Sequence, residues 1–395
     1  MIRTWTHREQ RVRVNNSISR SRKVRSGVPQ GSVLGPVLFL IYIADLQMTD
    51  PKSFCKLLKF VDDSKVMARI NSDEDVAQLQ EDLAAVFRWA GDNHMRWNDL
   101  KFQVLRLGTN HQIIEDTTLF SPDFGEVVEA KDTIKDLGIL VDRQLSYVEQ
   151  LYKAVNKTKQ KAGWVLRTFS TRDIPLLRTL WKSLIQCHLD YGNILWAPYS
   201  GHGEAWKWKL LEGTLREFTR KGKGLTGLNY WSRLRAFKVS SIQRRIERYR
   251  LIYTWKSLND LAPSLGINWV NNGTSRSGRT LEVRKVKGLS SSLQTQRRRT
   301  IQHEGVRLLN VIPSPIQNFS GKAETFKYLL DNFLECVPDQ PYTDSLVPEA
   351  RDYNDKPSNS IYDWCKSGRI QWTPPIELER VEDYYIVKPI VCNLY

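Results

Sequence analysis

Apolar positions change their spacing several times along the chain, and the changes separate a mixed strand-and-helix first third from a helical remainder. Residues 37–44 are an unbroken apolar run that reads as a buried helix or strand. Leu57-Leu58-Lys59-Phe60-Val61-Asp62-Asp63-Ser64-Lys65-Val66-Met67 reads as an apolar hairpin with two aspartates at its turn. Ser72, with Asp75 three residues on, predicts a capped helix start, and Val76, Leu79, Leu83, Val86, Phe87 and Ala90 then mark one apolar face. That helix is expected to cover one side of the hairpin and of a strand over 104–107. Strand patterns recur at Val127-Val128 and at Ile139-Leu140-Val141.

Beyond these strands the chain turns helical. Helices are predicted over 151–168, 174–187 and 204–219, with Asp173-Ile174-Pro175 as a start signal. In 240–259, Ile242, Ile246, Tyr249 and Tyr253 recur at helical spacing and face a core, which leaves Arg244, Arg245 and Arg248 on the opposite face. Gly222, Gly224 and Gly227 mark a loop, and 271–278 reads as a flexible connector. A last helix is predicted over 323–336, with Phe326, Leu329, Leu330 and Phe333 inward. The chain beyond Pro338 is acidic and proline-containing, with little regular structure expected over 339–357.

Two segments carry candidate chemistry. Neighbouring carboxylates at a strand tip repel each other, and a divalent cation reverses the sign of that cost. Magnesium takes oxygen ligands, and two-ion phosphoryl-transfer sites hold their metals about 4 Å apart. On spacing alone, Asp-Asp-Ser between two short strands is more often a solvated turn. Upstream, Ser26-Gly27-Val28-Pro29-Gln30-Gly31-Ser32-Val33-Leu34-Gly35-Pro36 is a loop whose glycines admit close approach of backbone to a ligand, while Gln30 offers both donor and acceptor. A surface turn before a core helix has the same composition.

This loop, together with Phe39-Leu40-Ile41-Tyr42-Ile43, resembles the palm segment called motif B in reverse transcriptases of non-LTR (LINE-type, jockey-like) retrotransposons. Phe60-Val61-Asp62-Asp63 resembles the Phe-Ala-Asp-Asp box of that family, with Val61 in place of the usual alanine. Asn98-Asp99-Leu100-Lys101 with 104–108 looks like the next palm motif, and 135–142 like the hairpin that grips the primer. Similarity continues through 180–198 and, more weakly, through 326–338. The resemblance implies an α+β fold: a partial reverse-transcriptase palm, an antiparallel sheet with covering helices, over 1–145. A helical, thumb-like basic region over 146–270, a C-terminal basic and helical region over 271–340, and an acidic, proline-containing tail over 341–395 then follow. It also implies Asp62 and Asp63 as catalytic metal ligands, Pro29, Gln30 and Gly31 as nucleotide and template contacts, and Lys101 near the phosphates of the incoming nucleotide.

The first catalytic aspartate of that family precedes the glycine-rich segment by several tens of residues, whereas residues 1–25 contain no aspartate, and Asp45 and Asp50 come after the loop. The chain is therefore expected to begin inside the palm, without fingers and without the first aspartate. Ligand counting then makes Mg2+ binding conditional on a carboxylate from elsewhere, and the chain alone is expected not to polymerise DNA.

Charge adds partners. Of the net +16, residues 201–310 carry 23 Lys+Arg against 7 Asp+Glu, residues 1–30 carry 8 against 1, and residues 311–395 carry 8 against 13. Two basic regions thus flank a near-neutral palm, the electrostatic footprint of phosphate binding. The expected partners are an RNA template and a DNA primer. Aromatic residues in the basic block, among them Trp206 and Trp231, could stack on bases, but Arg244, Arg245 and Arg248 are the favoured contacts to a nucleic-acid backbone. Arg297-Arg298-Arg299 reads as solvated surface or as a minor nucleic-acid or nuclear-import contact.

With 395 residues and 41% hydrophobic positions the chain can bury two or three cores, and it has no repeat. Five scattered cysteines without Cys-x-x-Cys spacing predict free thiols and no zinc. The start is no secretory signal and no apolar run approaches the ~20 residues of a membrane helix, so a soluble protein of nucleus or cytoplasm, with no membrane partner, is expected. Two functions follow: a piece of an RNA-directed DNA polymerase, or a non-catalytic nucleic-acid-binding protein derived from a retroelement.

Overall fold

The computed structural model describes residues 8–24, 27, 31–47, 55–95, 97–98, 101–108, 118–122, 125–199, 204–271, 279–283, 294, 297–341 and 359–375. The chain divides into two compact units, Met1–Ser146 and Tyr147–Tyr395. The architecture is α+β, with small antiparallel strand pairs and many helices.

In the first unit, β1 (Glu9–Gln10) pairs with β4 (Arg22–Lys23), and β2 (Arg13–Val14) with β3 (Ser17–Ile18). Helix α1 (Gly35–Tyr42) starts where the Ser32 hydroxyl accepts from the Gly35 N–H at 3.0 Å, with Pro36 in the first turn, where its missing N–H costs nothing. The apolar run was expected to be buried. Instead Val37, Leu38, Leu40, Ile41 and Tyr42 are exposed, up to 67% for Ile41, while Phe39 packs in part on a small core of Ile43, Leu46 and Val86. The covering layer that such a run requires is not among the described residues.

Strands β5 (Lys56–Phe60) and β6 (Asp63–Met67) form the expected hairpin, with Phe60 opposite Asp63. Helix α2 (Asp73–Asp92) begins as its sequence dictates: the Ser72 hydroxyl accepts from the Asp75 N–H at 3.4 Å, and the Asp75 carboxylate accepts from the Asn71 N–H at 2.7 Å. Its buried Val86 meets Leu57 of the hairpin, and Phe87 meets Phe102 edge to face. The expected strand over 104–107 is reduced to one bridge, Val104 to Ala130, and Val127 likewise makes only a bridge to Phe120. A second hairpin, β7 (Thr133–Asp136) and β8 (Ile139–Asp142), completes the unit.

The second unit opens with α3 (Val148–Thr168) and α4 (Ile174–Leu180), the latter carrying the expected proline in its first turn. The helix expected over 174–187 is interrupted: α4 passes into one π-helical stretch, Trp181–Ile185, before α5 (Cys187–Asp190) and α6 (Asn193–Trp196). Next come α7 (Ala205–Thr219), α8 (Tyr230–Phe237) and α9 (Ile242–Leu258). The hairpin β9 (Ile267–Asn271) and β10 (Arg279–Val283) flanks residues 272–278 of the expected connector, which lie outside the described residues. Helices α10 (Ile301–Leu309), α11 (Ser314–Gln317), α12 (Ala323–Cys336) and α13 (Ile361–Lys366) follow.

Helix α9 is the axis of this unit. It packs against α6, α7, α10 and α12, which buries Arg244 and Arg250 and leaves Arg245 and Arg248 only part-exposed. Ile242 and Ile246 are buried as their spacing predicts, Tyr249 and Tyr253 are only half-buried, and Leu251, Trp255, Glu247, Arg250 and Thr254 are buried as well. Trp255 stacks on Phe326 of α12 with ring centres 4.4 Å apart. Gly305 of α10 faces Thr254 so closely that a Cβ there would sit 1.9 Å from the threonine hydroxyl, so only glycine allows these two helices to approach.

The acidic tail is in part structural. Ile361 is fully buried, its N–H donates to the Glu247 carboxylate at 2.7 Å, and Trp372 packs edge-on against Phe333. Most of 339–357 lies outside the described residues. Cys55, Cys187, Cys336 and Cys365 are free thiols, and no described helix is long and apolar enough to cross a membrane.

Glu212 of α7 lies fully buried beneath α8 and α9, accepting from the Gln243 N–H at 2.8 Å and bonded to the Tyr230 hydroxyl. Burial pushes its carboxyl up to about 7, against the lowering effect of these two hydrogen bonds. An acid whose pKa is raised by folding contributes stability that is complete below its unfolded value and is lost as pH rises through its folded value. The second unit should lose on the order of 3 kcal/mol between pH 4.5 and about 7 on this account. Glu212→Gln keeps both hydrogen bonds and should flatten that slope; melting temperatures of the two proteins measured from pH 5 to 8 should converge at the acid end and diverge above it.

Candidate active site

The two aspartates owe their position to the shortest hairpin link a sheet allows. Phe60 pairs with Asp63, so Val61 and Asp62 alone make the turn, and Asp63 begins the return strand. Val61 adopts φ +54°, a left-handed conformation that a β-branched side chain reaches only at a cost of about 1–3 kcal/mol. Both carboxylates are exposed at the tip. Strain at this point thus presents adjacent charges outward, where water or a cation can reach them.

Two lysines fix the hairpin to its surroundings. The Lys59 ammonium donates to the carbonyls of Ile43 at 2.8 Å, Ala44 at 3.3 Å and Leu46 at 2.8 Å, filling acceptors left open at the end of α1. On the other strand, Lys65 pairs with Asp136 at the end of β7. The link between β7 and β8 is also two residues, Leu137 and Gly138, both at positive φ, as a primed turn requires. The aspartate hairpin is therefore tied to the helix of the glycine-rich segment on one side and to the second hairpin on the other.

Gly31 is exposed with φ +80° at the N-terminal side of α1, and eight helical residues, about 12 Å, separate that bend from the carbonyls Lys59 holds. Pro29 and Gln30 lie outside the described residues. Lys101 is exposed, in a single turn closed by its N–H on the Asn98 carbonyl at 2.9 Å. Asp45 is exposed as well. Among the described residues no cluster of three or more His, Cys, Asp or Glu side chains stands close enough to hold a metal ion. Asp62 and Asp63 supply two carboxylates of the chemistry magnesium takes, but not a complete two-ion set.

The structure corrects the assignment of Arg244, Arg245 and Arg248 to a nucleic-acid backbone. Arg244 is 4% exposed and donates to the carbonyls of Val337 at 3.0 Å and Pro338 at 2.8 Å. Arg245 is held by Asp190 at 2.6 Å and by the Tyr249 hydroxyl at 2.7 Å, and Arg248 grips both oxygens of Asp331 at 2.5 and 2.6 Å. Arg245 and Arg248 keep part of their surface in water, but their charges are spent on Asp190 and Asp331 of the chain itself. The anchors Lys59, Lys65 and Asp136 are not among the residues singled out from the sequence; the signal available was a lysine next to apolar residues in each strand of the hairpin, which calls for an anionic or carbonyl partner.

Against this geometry, the comparison with known proteins is direct. Residues 1–141 match the family described as reverse transcriptase (RNA-dependent DNA polymerase). Both hairpins and α1 fall within or at the edge of that stretch. In Drosophila melanogaster the chain is 29% identical over 196 residues to the probable RNA-directed DNA polymerase from transposon X-element. It is 30% identical over 203 residues to that from transposon BS and 24% over 190 residues to that from mobile element jockey. These alignments take in 46–47% of this chain and 20–21% of each relative, so the chain spans about a fifth of the length of the relatives it matches. No solved structure matches the chain. Over these residues the expected resemblance to reverse transcriptases of non-LTR retrotransposons is borne out.

If the two lysines hold the hairpin, Lys59→Met should lower hydrogen-exchange protection of the 56–67 amides by about 10- to 100-fold, the equivalent of one lost charged hydrogen-bond set. Val61→Asn, which tolerates the left-handed turn, should raise it by up to about 10-fold. Amide exchange read residue by residue checks both, and equal protection in all three proteins would count against this account.

Proposed function

We propose that this chain is part of a retrotransposon RNA-directed DNA polymerase, with residues 1–145 contributing the Asp62–Asp63 half of its palm. The observation that carries this reading is the pair of exposed aspartates on a strained two-residue turn inside the stretch that matches the reverse transcriptase family. In it Asp62 and Asp63 hold Mg2+, Pro29, Gln30 and Gly31 lie under template and nucleotide, and Lys101 meets the phosphates of the nucleotide. Bound there, magnesium would neutralise the phosphate charge that builds up in transfer. The helices of 146–270 act as the thumb, and an RNA template and DNA primer are the partners.

Ligand counting makes the chain inactive by itself. In this reading two carboxylates on one hairpin tip do not clamp two ions, and the third is supplied by another polypeptide. The uncovered apolar side of α1 and the exposed Leu58 and Phe60 of β5 give such a segment a surface on which to pack. A second reading, a non-catalytic nucleic-acid-binding protein, is favoured by the same incomplete carboxylate set together with the charge concentrated in 201–310.

Two measurements separate the readings. Primer extension on an RNA template with Mg2+ should give no product from the chain alone, and product that vanishes in an Asp62→Asn, Asp63→Asn double variant would overturn the claim of inactivity. Mn2+ should selectively broaden the amide signals of residues 60–64 in the unaltered protein and not in that variant. Uniform or absent broadening favours the non-catalytic reading.

A further inference from the structure

Alternation along β5 and β6 decides which side chains of the aspartate hairpin share a face. Leu57 packs into the small core of Ile43, Leu46 and Val86, and the hairpin register puts Lys59, Ser64 and Val66 on that same side. Asp63 and Lys65 therefore stand together on the opposite side. Two residues of strand separate their Cα atoms by about 7 Å. An ammonium so placed competes with a cation for the Asp63 carboxylate, because it is drawn to the carboxylate and repels a divalent ion bound there.

That competition is held off by a residue from another hairpin. The Lys65 ammonium is paired with Asp136, the last residue of β7, beside the two-residue turn into β8. Among the described residues no other acidic group is bonded to Lys65. Nor does Asp136 complete a ligand set with Asp62 and Asp63, since no three acidic, His or Cys side chains among the described residues stand close enough to share an ion. Its charge thus acts at the hairpin tip through Lys65. The pair is part-exposed, at 40% for the lysine side chain and 28% for the aspartate. Leu58, Phe60 and Met67 on the same face are exposed as well, so a segment that covered them would also take water from the pair and strengthen every charge interaction around it.

We propose that Asp136 is the charge-compensating residue of the aspartate hairpin: it neutralises Lys65, which would otherwise occupy Asp63 and exclude a divalent cation. The proposal rests on the reading that Asp62 and Asp63 hold Mg2+, and it adds an electrostatic role to the anchoring that the pair provides. The two roles part company when both partners are removed. Loss of Asp136 alone frees a cation beside Asp63, whereas loss of both residues leaves neither an anchor nor a stray charge.

Mn2+ would be titrated into the full chain and the broadening of the amide signals of residues 60–64 followed. Half-maximal broadening in Asp136→Asn should need about 5- to 30-fold more Mn2+ than in the parent, and Asp136→Glu, which keeps the charge, should need about as much as the parent. Lys65→Met with Asp136→Asn should recover to within about 3-fold of the parent although the ion pair is gone. Added salt should shrink the loss in Asp136→Asn, because an exposed charge is screened over about 8 Å at 0.15 M. Lost anchoring cannot produce that recovery, since the double variant lacks the anchor too. With local broadening present in the parent and the variants shown folded by circular dichroism, a double variant as weak as Asp136→Asn would overturn the proposal, and so would Asp136→Asn binding Mn2+ as the parent does; either result leaves the metal reading intact. No local broadening in the parent would overturn both.

Discussion

Everything at the tip of the aspartate hairpin depends on two ammonium groups that hold its strands from opposite sides. A two-stranded ribbon is marginal in water, and this one buries little beyond Leu57. Lys59 takes three carbonyls at the end of α1, and Lys65 takes Asp136, so each strand is attached to a different neighbour. The strained turn at Val61 persists because both of its flanks are fixed. Position of charge, rather than depth of burial, is what this unit builds.

The second unit works by the opposite means. Helix α9 carries glutamate and arginine into the interior and meets them in part with backbone from distant parts of the chain: Ala197 and Pro198 for Arg250, Val337 and Pro338 for Arg244, Ile361 for Glu247. Arg250 Nε and Nη1 and Arg244 Nε are buried without a hydrogen-bond partner. Ser241, Asp339 and Asn359 close one hydrogen-bonded group at the start of the helix, with Ser241 to Asp339 at 2.7 Å and Asn359 to Ser241 at 2.7 Å. Removing one member of such a group strands the others without water, which makes it a determinant of specificity more than of raw stability.

Local signals were readable in the sequence and enclosure was not. The Ser72 cap, the hairpin around Asp62 and Asp63 and the helix Ala323–Cys336 follow from neighbours within a few residues. The alternation of Ile242, Ile246, Tyr249 and Tyr253 correctly located a helix, but an arginine-rich far side looks the same whether it meets solvent or another helix. Residues 271–278 read as a connector because Asn271-Asn272-Gly273 suggests a loop, although the same residues between apolar stretches are also a hairpin signal, and strands Ile267–Asn271 and Arg279–Val283 flank them. The buried helix Ile361–Lys366 sits in a stretch whose acidity hides three aromatic residues, Tyr362, Trp364 and Trp372. At the candidate site the aspartates were legible as a pair, whereas their lysine anchors become visible only when the two ends of each contact are brought together.

The docking of Asn359 to Trp372 onto α9 also sets an order of events during synthesis. Arg244 reaches the carbonyl of Asn359 across 115 residues of chain. On the ribosome, α9 emerges long before the residues that complete its surroundings, so the second unit must wait with a guanidinium and a carboxylate facing an open slot until the residues through Trp372 have left the tunnel. The first unit has no such debt, and the two halves of one translation product should therefore mature at different times.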